Sequence, residues 1–368
     1  MAHASPTSVT PSALFGRSLA SHLRVPSRSC RARWRAPRLV VRAEDVGAGN
    51  TFRERSAGGC VPEGAEPCNR PKRIILIRHA ESEGNVDETM YTRKPDHRIE
   101  LTDKGKAQAR EAGKRLRDLL GPDETVYVYV SPYLRTMQTL YELGMAVGPD
   151  RVLGVREEPR IREQDFGNFQ DATMRELKRE RVGFGRFFYR FPNGESAADV
   201  YDRVTSFRET LRNDIDFGRF NCDARGCRTD DCTIVIVTHG LTLRVFLMRW
   251  YKWTTAMFSV LRNPGNAELA IMERGAGGRY TMLNAHQDEE HLKALGFTEE
   301  MIEDQRWARE APVDDLNSRW VTSSGELFFD SFPDRLDSAR RSVKNADVYF
   351  ERRKREEETK EKTNGDGR

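Results

Sequence analysis

The chain has 368 residues, 38% hydrophobic and 32% charged, which allows one large domain with extensions or two average ones around a sizeable core. No apolar run approaches the ~18 residues of a membrane-spanning helix. The longest aliphatic stretches, Ile74–Ile77 and Ile234–Val237, are of strand length, so a helical membrane span is excluded. The net charge of +4 is unevenly placed: residues 1–43 hold eight arginines and no acid, which leaves the remainder net −4 and removes any charge argument for a nucleic-acid partner.

Taken in chain order, residues 1–43 form an Arg- and Ser-rich, acid-free leader without the apolar core of a secretory signal. Such a composition reads as an organellar transit peptide ending near Ala43, with the chloroplast (plastid) as the expected destination and the mitochondrion as the alternative. A disordered basic tail is the plainer reading. Residues 44–71, rich in Gly and Pro, read as a linker. Lys72–Arg78 gives a short aliphatic run expected to be a buried parallel strand. Thr102 is placed to cap a helix over Leu101–Leu120, with Ala109, Ala112, Leu116 and Leu119 on its inner face. A strand at Val126–Val130, a helix at Tyr133–Met145 and a strand at Val152–Val155 follow. Ser196 and Asp199 start a helix in capping-box fashion, with Val200, Val204, Phe207, Leu211 and Ile215 on its core face. The apolar strand Thr233–Thr238, the helix Leu241–Trp250 and two short strands near Glu268–Met272 and Arg279–Leu283 complete the unit. Alternating strands and helices imply an α/β three-layer sandwich, a mostly parallel sheet covered by helices on both faces, over residues 72–285. Residues 286–368 are densely charged and read as a partly helical or disordered extension.

Six cysteines are present. Cys222, Cys227 and Cys232 recur at five-residue intervals with no histidine nearby, which is not a zinc spacing. Free thiols are the simplest reading, and a redox role for this loop is the alternative.

Catalytic groups in a parallel sheet gather at the carboxyl ends of strands. Three strand ends here carry unusual polar residues: Arg78-His79-Ala80-Glu81-Ser82-Glu83-Gly84-Asn85, Ser131-Pro132-Tyr133-Leu134-Arg135-Thr136 and Thr238-His239-Gly240. One strand-end histidine is commonly structural. Two histidines and two arginines from separated strand ends point to a site.

These segments resemble the signature of the histidine phosphatase, or phosphoglycerate-mutase-like, superfamily. Further segments match in the same order: Leu101–Ala109, Ser131–Thr139, Ile161–Gly167, Pro192–Ser196 and Val237–Gly240. The resemblance spans roughly residues 71–285 and is strongest toward plant plastid phosphoglycerate-mutase-like proteins and fungal broad-range acid phosphatases. Two positions depart from the pattern, Ala80 for the usual glycine and Gly84 for a common aromatic residue. The resemblance implies His79 as nucleophile, Arg78 and Arg135 as phosphate-binding arginines, and His239 as a further donor to the same oxygens. It also implies Glu163 as proton donor, with Asp165 as the competing carboxylate. Asn85, Ser82 and Gly240 would complete the phosphate pocket.

That assignment makes chemical sense. A neutral imidazole attacks phosphorus in line and splits one difficult transfer into two through a phosphohistidine. Guanidinium forks suit the charge spread over the transferring oxygens. Those side chains supply the positive charge, so no metal and no cofactor are expected, and the partner is a small phosphorylated substrate. Nothing in the sequence fixes an oligomeric state. Three functions compete: a phosphomonoesterase, a cofactor-dependent phosphoglycerate mutase, and a non-catalytic binding module with the same fold. Only 31 positions separate Glu163 from Gly194, fewer than the resemblance implies for a mutase that must enclose a bisphosphate, and this favours hydrolysis. The intervening segment carries Arg175, Lys178, Arg179, Arg181, Arg186 and Arg190, which suits multiply anionic substrates or a solvated helix face equally.

Overall fold

The chain builds six strands and ten helices among the described residues. The structure is a computed structural model that describes residues 70–167, 173–220, 231–313, 332–333 and 336–337. The leader, nearly all of the linker, Cys222, Cys227 and most of the C-terminal extension lie outside those residues. In chain order the elements are β1 (Arg73–Arg78), α1 (Glu83–Val86), α2 (Met90–Arg93), α3 (Asp103–Leu119), β2 (Thr125–Val130), α4 (Leu134–Val147) and β3 (Val152–Glu157). They continue with α5 (Thr173–Phe184), α6 (Ala197–Asp216), β4 (Cys232–Thr238), α7 (Gly240–Tyr251), α8 (Thr255–Val260), β5 (Leu269–Arg274), β6 (Tyr280–Thr281), α9 (Glu289–Ala294) and α10 (Glu299–Glu310).

The sheet order is β3-β2-β4-β1-β5-β6. The first four strands are parallel, and β5 and β6 close one edge antiparallel. Strands β1 and β4 are continuous aliphatic runs because both of their faces are covered. Ile74, Leu76, Ile234 and Ile236 face α6 and α7, whereas Ile75, Ile77, Val235 and Val237 face α3 and α4. Each such side chain, fully buried, contributes roughly 1.5–3 kcal/mol. The expected α/β three-layer sandwich is present.

Local chemistry sets the helix starts. Thr102 Oγ1 accepts from the Gly105 N–H at 2.9 Å to begin α3. Ser196 and Asp199 exchange hydrogen bonds to begin α6, as their spacing predicts. Packing continues past the boundary expected at residue 285. Leu292, Phe297, Met301 and Ile302 join the core that holds Ile74, and the buried Gln305 side chain accepts from the Met282 N–H. The charge density of this segment masks a narrow buried stripe on α10, formed by Met301, Ile302, Gln305 and Ala308.

Connections from β1 and β4 leave their carboxyl ends toward opposite faces, β1 to α3 and β4 to α7. A crevice opens above these adjacent strands.

Candidate active site

Hydrogen bonds between strand ends bring the predicted residues together. The His79 N–H donates to the Thr238 carbonyl at 2.9 Å, and the Ser131 N–H to the Val237 carbonyl at 3.0 Å. His79 and His239 therefore sit side by side, with ring centroids 5.3 Å apart. Both are buried, at 4% and 0% exposure.

His79 Nδ1 lies 2.8 Å from the Ala80 carbonyl oxygen. A carbonyl only accepts, so Nδ1 carries the proton and Nε2 keeps its lone pair. The imidazole is held well below its ordinary pKa, first by burial and then by the charges of Arg135 and Arg78. Burial and the neighbouring cations thus favour the neutral imidazole. Ala80 takes a side chain without strain, because its φ is not positive.

His239 Nε2 lies 2.8 Å from Ser131 Oγ, and its buried Nδ1 has no protein partner. Burial, then Arg135 and His79, push its pKa well down. The Tyr133 ring packs edge-on against it at 5.0 Å and also lies 5.0 Å from the Arg135 guanidinium carbon. Gly240 opens α7 directly behind His239.

Arg78 reaches out from β1 and donates through Nη1 to the Pro264 carbonyl at 2.7 Å. Burial lowers its pKa. Arg135, in the first turn of α4, is 2% exposed. Its Nη1 bonds both the carbonyl and the carboxylate of Asp96, at 2.7 and 2.8 Å. Each arginine keeps a buried Nε without a partner. Oriented guanidiniums with spare donors suit an anion.

Glu163 follows a one-turn helix at Pro159–Ile161, and its Oε1 accepts from the Gln164 N–H at 3.1 Å. Burial raises its pKa, against the opposing charges of Arg135 and Arg78. A carboxyl whose pKa is raised by burial is suited to general acid chemistry. Asp165, the competitor, is exposed, and its carboxylate accepts from the Gly167 N–H at 2.8 Å. Gly167 has φ +74° and a Cβ there would run into the Pro192 carbonyl, so the loop closes only on glycine.

Asn85 accepts through Oδ1 from the Ser82 N–H and from Asn266 Nδ2, each at 3.1 Å. Its amide nitrogen is thereby aimed away from these partners as a donor. Ser82 is fully buried, with its hydroxyl on Asn85 Oδ1 at 3.2 Å. It holds Asn85 in place, and its hydroxyl is committed to that contact. Asn266, which also bonds the His79 carbonyl at 3.1 Å, had no sequence signal beyond its loop position.

Tyr91 is a second residue the sequence did not mark. A Cβ on residue 84 would lie 2.6 Å from the Tyr91 ring, so the ring takes the space beside Gly84. Burial raises its phenol to about 12. Among the described residues, no group of three or more His, Cys, Asp or Glu side chains could hold a metal ion. No helix there is long and apolar enough to cross a membrane. Cys232, the one described cysteine of the three, is buried.

The profile described as histidine phosphatase superfamily (branch 1) matches residues 74–286. Phosphoglycerate mutase-like protein AT74 of Arabidopsis thaliana is 52% identical over 274 residues, covering 73% of this chain and 84% of that protein. Phosphoglycerate mutase-like protein AT74H of the same plant is 54% identical over 245 residues, covering 64% and 85%. Broad-range acid phosphatase DET1 of Saccharomyces cerevisiae is 33% identical over 293 residues, covering 55% and 86%.

Proposed function

This chain belongs to the histidine phosphatase superfamily, branch 1, and from that premise we propose that it is a phosphomonoesterase acting through a phosphohistidine on His79. The observation that carries the reading is the tautomer of His79. With Nδ1–H held by the Ala80 carbonyl, Nε2 is the attacking atom, and depression of its pKa keeps it unprotonated.

The sequence of events follows from the neighbours. Arg78 and Arg135 hold the phosphoryl oxygens, and their unpaired Nε atoms supply charge-assisted bonds. His239 Nδ1 and the Asn85 amide donate to the same oxygens as charge develops. Glu163 protonates the leaving alkoxide, then takes a proton from the water that attacks the phosphohistidine, a role worth about 10²–10⁴ in rate. The proton gained in the second step restores the acid for the next cycle. No metal is needed to neutralise the transferring group.

A mutase shares the first step and differs in the acceptor, and two of the relatives bear phosphoglycerate-mutase-like names. Phosphatase-named relatives support the hydrolytic outcome. The experiment is release of inorganic phosphate from small esters by the purified chain in EDTA, with and without a bisphosphate primer. Primer-independent release supports the hydrolase. Isomerisation of phosphoglycerate that requires the primer overturns it, and binding without turnover supports a non-catalytic module.

The composition of residues 1–43 supports plastid import with the mitochondrion as alternative. N-terminal sequencing of the organellar protein should then begin within a few residues of Glu44.

A further inference from the structure

Several arginines of this chain grip a carboxylate by the same edge. Arg110 holds Glu142 through Nε and Nη2, at 2.7 and 3.2 Å, and Arg306 holds Glu289 through the same two nitrogens, each at 2.6 Å. Arg203 holds Glu195 in this way at 3.0 Å for both bonds. The two N–H groups of that edge point one way, so they meet two oxygens of one anion.

The two arginines of the active site are tied by a different corner. Arg78 donates through Nη1 to the Pro264 carbonyl at 2.7 Å. Arg135 donates through Nη1 to the Asp96 carbonyl and carboxylate, at 2.7 and 2.8 Å. In both, Nε is buried without a partner, and among the described residues neither arginine bonds through its Nε–Nη2 edge. The tethers differ in kind. Arg78 rests on a neutral main-chain carbonyl, whereas Arg135 also rests on an acidic side chain.

Asp96 is itself firmly placed. It opens the one-turn helix Asp96–Arg98, where the Arg98 N–H donates to the Pro95 carbonyl at 2.8 Å. Ile99, directly after the turn, is fully buried. Ahead of it, Lys94 Nζ donates to both oxygens of Glu83, at 2.9 and 2.8 Å. The His97 ring stands edge-on to Tyr133 at 6.4 Å, and Tyr133 lies 5.0 Å from the Arg135 guanidinium carbon. The turn is held on both sides, and its single acidic side chain is spent on Arg135. A long, rotatable side chain does not choose by burial alone which edge it turns to a ligand. Two acceptors on Nη1 make that choice.

We propose that Asp96 is the positioning residue of Arg135, holding its Nη1 corner so that the Nε–Nη2 edge meets two oxygens of the transferring phosphoryl group. This rests on the phosphomonoesterase reading. Asp96 does not touch the substrate and acts through the guanidinium. A misaimed Arg135 still attracts a phosphate by its charge. It loses the paired bonds that strengthen as the phosphoryl group passes between donor and acceptor.

The test measures kcat and KM on p-nitrophenyl phosphate, with binding of vanadate and of phosphate by calorimetry. Vanadate copies the five-coordinate transferring group, and phosphate copies the ground state. Asp96→Ala should lower kcat by about tenfold, the worth of one hydrogen bond to a charged group, with KM little changed. It should weaken vanadate by a similar factor and phosphate by less. Asp96→Asn, which keeps an oxygen at the tether, should restore most of the preference for vanadate. In an Arg135→Ala background, Asp96→Ala should weaken vanadate no further. Should Asp96→Ala fail to fold, Asp96→Ser, whose hydroxyl falls short of Nη1, reads the same quantities. Unchanged kcat and vanadate binding in the folded variant overturn the proposal. So does an equal loss for both anions that Asp96→Asn does not restore, or the same vanadate loss without Arg135. Failure of the wild type on p-nitrophenyl phosphate instead overturns the phosphatase reading beneath it, and the binding comparison then judges the tether alone.

Discussion

Arg203 holds Glu163 by its main chain. The Arg203 Nη2 donates to the Glu163 carbonyl at 3.0 Å, while Nη1 bonds the carbonyls of Arg160 and Arg162 at 2.7 and 2.9 Å. The same guanidinium is fixed by both oxygens of Glu195, at 3.0 Å each. Glu195 in turn accepts from the Asp165 N–H at 3.1 Å. Thr238 and Thr242 add hydroxyl bonds to the Ile161 and Arg162 carbonyls, each at 2.7 Å. Three neighbouring elements thus set the position of one carboxyl group.

Arg203→Lys tests this arrangement, because an ammonium cannot span three carbonyls and a carboxylate. Turnover of an alkyl phosphate should fall by about tenfold or more, within the worth of general acid catalysis. An aryl phosphate, whose leaving group departs without a proton, should lose less in the phosphorylation step. Equal losses with both esters in single-turnover experiments would mean general disruption of the site and contradict a positioning role.

Ser131 fixes His239 in a comparable way. The Ser131 hydroxyl engages Nε2, and the nitrogen that lacks a protein partner is Nδ1. Ser131→Ala should reduce kcat/KM by about fivefold to tenfold, the worth of one hydrogen bond. It should weaken vanadate, which resembles the transferring group, more than phosphate. An equal effect on both anions would show that the contact is merely structural.

The pH dependence follows from opposed shifts. His79 and His239 are pushed below the usual imidazole value of about 6.5, and Glu163 is raised by burial. On an alkyl ester, kcat/KM should persist as pH falls below about 6.5 and decline on the alkaline side as Glu163 ionises, a decline that Glu163→Gln removes. Stability runs the other way. Below about pH 6.5 the unfolded chain binds protons that the folded chain refuses, so unfolding free energy decreases as pH falls, by about 1.4 kcal/mol per pH unit for each histidine. Denaturant titrations from pH 7 to 5 read this slope, and His79→Gln should remove one proton from it. A loss of kcat/KM with a midpoint near 6.5 on the acid side would contradict a neutral buried nucleophile.

Much of this was legible in the sequence. The aliphatic runs of β1 and β4 and the caps at Thr102 and Ser196 announce themselves, since each is a local pattern with one structural solution. His79, Arg135, Glu163 and His239 were singled out through their order and motif context. What escaped were residues whose importance comes from long-range contact. Arg203 reads as an ordinary helix-face arginine, Asn266 as a loop residue, and Tyr91 matters only because Gly84 leaves room for it. Ser82 was expected in the phosphate pocket with Asn85, and its hydroxyl bonds Asn85. The segment of α10 was read as partly helical, but its packing on the core was hidden for a different reason, because exposed charges outnumber the few apolar residues that bury it.

The most direct test of the central claim is a quenched single-turnover reaction with a radiolabelled phosphate ester, followed by location of the label. The account predicts an acid-labile, alkali-stable phosphoprotein with the label on His79, absent from His79→Ala. It also predicts that Glu163→Gln forms this species readily from an aryl ester, slowly from an alkyl ester, and discharges it slowly to water. Undiminished turnover in His79→Ala, or label on any other residue, would contradict it.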